Sequence, residues 1–270
     1  MNLWLNAALL GAAYVAFFLL ERALPLRRPK ASLPYRVLVN IALSATAFAT
    51  TALLVEPAAN AMLGYSDAGS IGLIPLLGLG DAAGIVAAFL LLDLTFYYWH
   101  VANHRIRFLW RFHNVHHIDP DLDVSTAFRF HFVEVGLSAG FRAAQVVLIG
   151  PSLAAYAIYE AAFQLATLFH HSNLRLPIAV ERALNLLFVT PRMHGIHHSD
   201  IKEENFSNWS VVLSWWDRLH GTLRLDVPQA EVTIGIPGYA SPGNNTIVNC
   251  LWLPFARQRD YWCGRLSRGG

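Results

Sequence analysis

Eight histidines stand in three short boxes: HVANH over residues 100–104, HNVHH over 113–117 and HGIHH over 194–198. His100 and His104 are four residues apart; His113, His116 and His117 fall at i, i+3 and i+4; His194, His197 and His198 repeat that second pattern. On a helix, positions three and four apart are neighbours on one face, so each box can turn its imidazoles to one side. Neutral imidazole is a ligand for zinc, copper, iron and nickel. With His131 and His171 added, the set suffices for two metal ions, each taking four or five nitrogens. All 12 histidines lie between His100 and His220, a bias that itself reads as metal binding. His170, beside His171, must point elsewhere and is read as a support. His220, standing alone, is equally well a hydrogen-bonded core residue.

The chemistry is narrowed by what the boxes lack. There is no HExxH, hence no zincin pair with its glutamate base, and no Glu-x-x-His near the boxes, hence no carboxylate-bridged di-iron bundle. An all-nitrogen pair of redox metals at a membrane surface suits oxygen activation against an unactivated C–H bond; spacing alone leaves zinc hydrolysis or a structural metal open. Residues expected to orient the imidazoles are Asp93, two turns before His100, and Asn103, Asn114, Asn173 and Asp200, which flank expected ligands.

The elements that must position these residues are apolar. Of 270 residues, 55% are hydrophobic and 14% charged, with a mean hydropathy of +0.39, against about 45–50% apolar and 25% charged in soluble domains. A formal charge of +2, without a basic stripe, gives no case for nucleic acid. Cys250 and Cys263 lie far from the boxes. Apolar runs over 3–20, 37–55, 82–99, 132–149 and 152–169 predict five crossings, the last two joined at Gly150-Pro151. Charges follow the first run (Glu21, Arg22, Arg27, Arg28, Lys30), and residues 56–81 hold no Lys or Arg, which predicts an outside N-terminus and an outer loop there. Five crossings place every box, with His131 and His171 at the ends of spans four and five, on the cytoplasmic face. The expected fold is an all-α integral membrane protein with a cytoplasmic, histidine-rich metal-binding cap. Arg142, inside the fourth run, either snorkels or pairs with an acid. Trp99, Trp110, Trp209, Trp215 and Trp216 read as an interfacial belt.

HVANH, HNVHH and HGIHH resemble the HxxxH, HxxHH and HxxHH boxes of the membrane fatty acid hydroxylase/sterol desaturase superfamily. The likeness continues in DLTFYYWHVANH (93–104), STAFRFHFVE (125–134), HSNLRLP (171–177) and WDRLHGT (216–222), and spans about residues 82–225. Two positions depart from it: Phe132 replaces the usual proline and His220 the usual aromatic. The resemblance implies a nonheme di-iron centre, O2 as oxidant, and electrons drawn from NAD(P)H through a separate reductase. The expected organisation is N-terminal membrane helices over 1–81, a catalytic unit over 82–225 and a cytoplasmic tail over 226–270. The expected reaction is hydroxylation or desaturation of a membrane lipid. Ether cleavage on the same site and a metal-binding protein without turnover are the alternatives.

Overall fold

The computed structural model describes residues 3–268. Among them the regular structure is helical, with isolated β-bridges and no strand. Helix α1 (Leu3–Ala23) is followed by α2 (Leu33–Thr50), which runs through a π-helical turn (Thr51–Val55) directly into α3 (Glu56–Gly69). The loop expected over 56–81 is therefore helical in its first half, and the cause is local. Pro57 lacks an N–H and its ring crowds the carbonyl four residues back. The wider π turn falls at that carbonyl, so the helix passes the proline instead of ending. It stops at Ser70, which is left-handed at φ 48°. The apolar piece beyond it forms a single turn, α4 (Leu73–Leu76).

Three longer helices complete the stem: α5 (Asp81–Arg105), α7 (Phe132–Ile149) and α8 (Leu153–His171), with α6 (Arg107–His117) between the first two. Helix α5 packs on α7 and α8, and α3 lies along α7. Segments Leu33–Leu76, Asp81–Arg105 and Phe132–Ile149 are long and apolar enough to cross a membrane, yet their most apolar windows are only 22%, 28% and 28% buried. Leu53, Val86 and Leu148 point outward. Apolar faces of that extent are not left in water; the protein belongs in a membrane. The expected first span corresponds to α1 and the expected fifth to α8, which carries Glu160 and Gln164 among its apolar residues. Arg142 on α7 pairs with Glu160 on α8, with Phe96 and Phe163 under its guanidinium, so of the two expected roles it takes the inward pair.

The α7–α8 reversal falls at Gly150, φ 66°, and is met there by Gly72, φ 118°. A Cβ on either glycine would overlap the other loop's backbone. Two glycines are what let these turns touch.

At the opposite pole the chain becomes polar. One extended residue, Ile106, turns α5 into α6. Beyond α8 come short helices α9 (Ile178–Asn185), α10 (Pro191–His197), α11 (Lys202–Asn205), α12 (Trp215–His220) and α13 (Ile247–Trp252). Pro191 opens α10, where its fixed φ suits a first helical turn. Glu21, near the end of α1, accepts from the backbone of Val124 at 3.1 Å and Asn173 at 2.7 Å. Arg36 and Asn40, in the first turns of α2, are buried and each donates to Asp119 at 2.9 Å. The end of α1, the start of α2, the ends of α5 and α8 and the start of α7 thus share this pole, and the histidine boxes lie among them.

The tryptophans do not form the expected belt. Trp110, Trp209 and Trp216 are buried, Trp99 stacks on Phe141, and only Trp215 of the five is exposed. The polar pole supplies the Asp93 carboxylate for the Trp216 N–H and the His104 ring for Trp110 and Trp209, contacts that a bilayer surface does not offer.

Candidate metal centre

The boxes do not stay together as boxes. His100, His104, His113, His117 and His197 form one group; His116, His171, His194 and His198 form another; within each, the candidate ligand atoms lie within 4.8 Å of one another. The helical spacing explains the division. His113 and His117, four apart, serve the first group while His116, offset by a residue, turns to the second. His194 and His198 serve the second group while His197 turns to the first. The groups adjoin, with the His117 and His198 rings stacked at 4.2 Å.

Six of the nine rings are aimed by a contact on Nδ1. Nδ1–H donates to a backbone carbonyl in His100 (Trp209, 2.8 Å), His116 (Arg129, 3.3 Å), His171 (Thr167, 2.8 Å) and His197 (Ser207, 2.8 Å). His113 donates to the Glu134 carboxylate at 2.7 Å. The Asn205 amide stands 3.2 Å from His117 Nδ1 and donates to the His197 carbonyl at 2.8 Å. An imidazole whose Nδ1 holds the proton presents its Nε2 lone pair. In the second group the Nε2 atoms face one another: Nε2 of His171 lies 3.0 Å from that of His116 and 3.0 Å from that of His194, and Nε2 of His198 lies 3.1 Å from that of His194.

Several expected residues are placed otherwise. His131 joins neither group: its Nδ1 caps α7 by accepting from the Val133 N–H at 3.1 Å and its Nε2–H donates to the Leu251 carbonyl of α13 at 3.2 Å, so both nitrogens are taken. Asp93 reaches no imidazole. It accepts from the Val212 and Leu213 N–H groups at 3.3 and 3.0 Å and from the Trp216 indole at 2.7 Å, pinning the segment before α12 to α5. Asn103 donates back to the Trp99 carbonyl, Asn173 exchanges bonds with the Arg27 backbone, and Asp200 pairs with Arg265. The Asn114 amide is buried and bonds to nothing among the described residues. His170 lies against His194, ring centres 4.1 Å apart. His220 bonds Trp216 and Tyr98 and stacks on Tyr97, remote from both groups. The contacts that sequence reasoning missed are Glu134 and Asn205. Glu134 left a trace, an acid in the first turn of an apolar helix; Asn205 left none.

The donor set fits metal ions. Burial pushes the imidazoles of His116, His117, His194, His197 and His198 well below the usual histidine range, and neighbouring imidazoles push in the same direction, so the rings are neutral, the form that binds metal. Both nitrogens of His104, Nε2 of His197, and Nδ1 of His194 and His198 are buried without a hydrogen-bond partner. Lone pairs crowded at about 3 Å and buried nitrogens without partners are costly unless a shared cation occupies the space between them.

Comparison with known proteins agrees with this chemistry. The fatty acid hydroxylase profile matches residues 85–222, which includes every member of both groups. An ornithine lipid hydroxylase of Rhizobium tropici is 29% identical over 174 residues, covering 64% of this chain and 51% of that protein. Human alkylglycerol monooxygenase is 29% identical over 140 residues, 52% of this chain and 30% of that protein. Human cholesterol 25-hydroxylase is 29% identical over 150 residues, 52% of this chain and 51% of that protein. The chain therefore spans about half the length, or less, of these relatives. No solved structure matches it. With the family profile covering half of the sequence and all nine clustered histidines, the chain belongs to the fatty acid hydroxylase family.

Proposed function

We propose that the protein is a membrane-bound oxygenase that hydroxylates a lipid, with iron in both histidine groups, O2 as oxidant and electrons delivered by a separate NAD(P)H-linked reductase. The observation that carries this reading is the pair of adjoining all-histidine groups, buried and neutral, whose candidate ligand nitrogens crowd together with no cation or acid among the described residues between them. The two ions supply the redox capacity to activate O2 against an unactivated C–H bond. The balance is R–H + O2 + 2 electrons + 2 protons giving R–OH + H2O. The chain's own residues hold the rings in one tautomer through the Trp209, Arg129, Thr167 and Ser207 carbonyls and the Glu134 carboxylate. Trp110, 4.8 Å from the His104 ring, and Trp209, 6.5 Å from it, exclude water from the first group. Hydroxylation is favoured over desaturation because the relatives' names describe hydroxylases and monooxygenases; those names cover an ornithine lipid, an alkylglycerol and cholesterol, which share only lipid character.

The same reading takes α1 and α8 as two further crossings, five in all, with the N-terminus outside and the metal pole in the cytoplasm. The supporting argument is that positive charge follows α1 while residues 56–81 carry none. The test is to purify the protein in mild detergent after iron-replete expression, measure iron and zinc per chain, and supply reductase, NAD(P)H, lipid extract and 18O2. Iron near two per chain with one labelled oxygen in a lipid product supports the proposal. Zinc alone, with no labelled lipid, overturns it.

A further inference from the structure

A cleft of about 570 Å3 opens beside the first histidine group, between the end of α5, α11 and residues 221–226. It shares a wall with the metal centre: Trp209 and Ser207, which line it, are the residues whose carbonyls hold His100 and His197. A volume of this order suits a small polar ligand or lipid head group.

The charges around the cleft come in both signs. Arg105 and Glu203 line it and belong to no ion pair among the described residues, while Arg224 pairs with Asp226 at 3.2 Å. The Arg105 guanidinium stands 5.3 Å from the Trp209 ring centre, so the cation lies at the wall that the cleft shares with the metal centre. A ligand that is only anionic would meet Glu203 and Asp226 unfavourably; one that is only cationic would meet Arg105 and Arg224 unfavourably; a neutral one would gain from neither.

Resting on the reading of the protein as a lipid oxygenase, we infer that this cleft receives the head group of the lipid substrate, and that the head is zwitterionic. Its anionic part, phosphate or carboxylate, is held by Arg105, and its ammonium faces Glu203. Charge-assisted hydrogen bonds of this kind are worth about 1.5–3 kcal/mol, roughly ten- to a hundredfold in affinity.

The test reads binding without turnover. Metal-loaded protein in detergent is offered phosphatidylethanolamine, phosphatidylglycerol and diacylglycerol with matched, mass-coded acyl chains, and occupancy is read by native mass spectrometry. The expected order places phosphatidylethanolamine roughly tenfold or more above both others. Arg105→Gln brings both phospholipids down to diacylglycerol, whereas Glu203→Gln removes only the preference for phosphatidylethanolamine over phosphatidylglycerol. Both residues are exposed, and unchanged metal content shows that each variant is folded. Equal binding of the three lipids, or an order that neither variant alters, overturns the inference. Head-group preference without any oxidised lipid would defeat the oxygenase reading alone, and oxidised lipid without head-group preference would defeat this one alone.

Discussion

At the residue scale, the division of nine histidines into two groups makes their replacement unequal. His116→Ala and His197→Ala each remove a nitrogen from a different group and are expected to lose metal and activity together, whereas His131→Ala and His220→Ala, whose rings bond elsewhere, keep metal content near that of the native protein. Metal analysis of the four variants checks this; equal loss in all four would refute the grouping. Glu134→Gln should weaken metal binding about 10–100-fold, as loss of a ligand-orienting carboxylate does, with the backbone-held rings unaffected; competition with a chelator measures it. In the metal-free protein, the buried imidazoles have pKa values below that of the unfolded chain, near 6.5. Protons then bind the unfolded state first as pH falls. Their contribution to stability is full above about pH 7.5 and declines as pH falls through about 6.5, the pKa of the unfolded chain. Denaturation midpoints of chelator-treated protein across pH 5–8 would show it. The imidazole spacing was legible because it is local. The orienting contacts were not: His100 meets Trp209 across 109 positions and His117 meets Asn205 across 88.

At the element scale, Asp93 is a tie between α5 and the segment entering α12, not an orienting group for a ligand. Asp93→Ala leaves two backbone N–H groups and an indole N–H unpaired, each costing about 1–3 kcal/mol. It should lower the thermal midpoint of the protein. Asp93→Asn, which keeps an acceptor, should lower it less. The sequence correctly marked an acid inside a span as needing a partner; it could not say which, since carboxylates accept equally well from imidazole, amide and indole. The passage of α2 into α3 through Pro57 was hidden for a related reason. A charge-poor stretch with glycine and proline reads as a loop, and only packing along α7 makes a π turn preferable to a break. Gly150→Ala should destabilise the α7–α8 turn, because both its φ of 66° and the approach of Gly72 exclude a side chain; a fall in yield and thermal midpoint with intact metal in the surviving protein is the expected outcome.

At the scale of the whole molecule, apolar stem and polar pole are one arrangement: helix ends deliver the imidazoles, and stem faces left open need hydrocarbon. Cys263 is exposed and Cys250 buried, which makes topology measurable. If the chain crosses five times with its metal pole in the cytoplasm, a membrane-impermeant maleimide should label Cys263 in inside-out vesicles and not in sealed right-side-out ones, with Cys250 unlabelled in both. The reverse pattern would place the pole outside.

By itself the sequence determined the histidine boxes at metal-ligand spacing, the helical membrane nature of the protein and the α7–α8 hairpin, because i, i+3, i+4 spacing, long apolar runs and a Gly-Pro turn act over a few residues. Only the tertiary structure decided which imidazoles share a group, that His131 caps a helix, that Glu134 and not Asp93 meets an imidazole, and that a two-signed cleft adjoins the first group. Those outcomes depend on which far-separated carbonyls, carboxylates and rings arrive within about 3 Å of one another, and no local pattern encodes that distance.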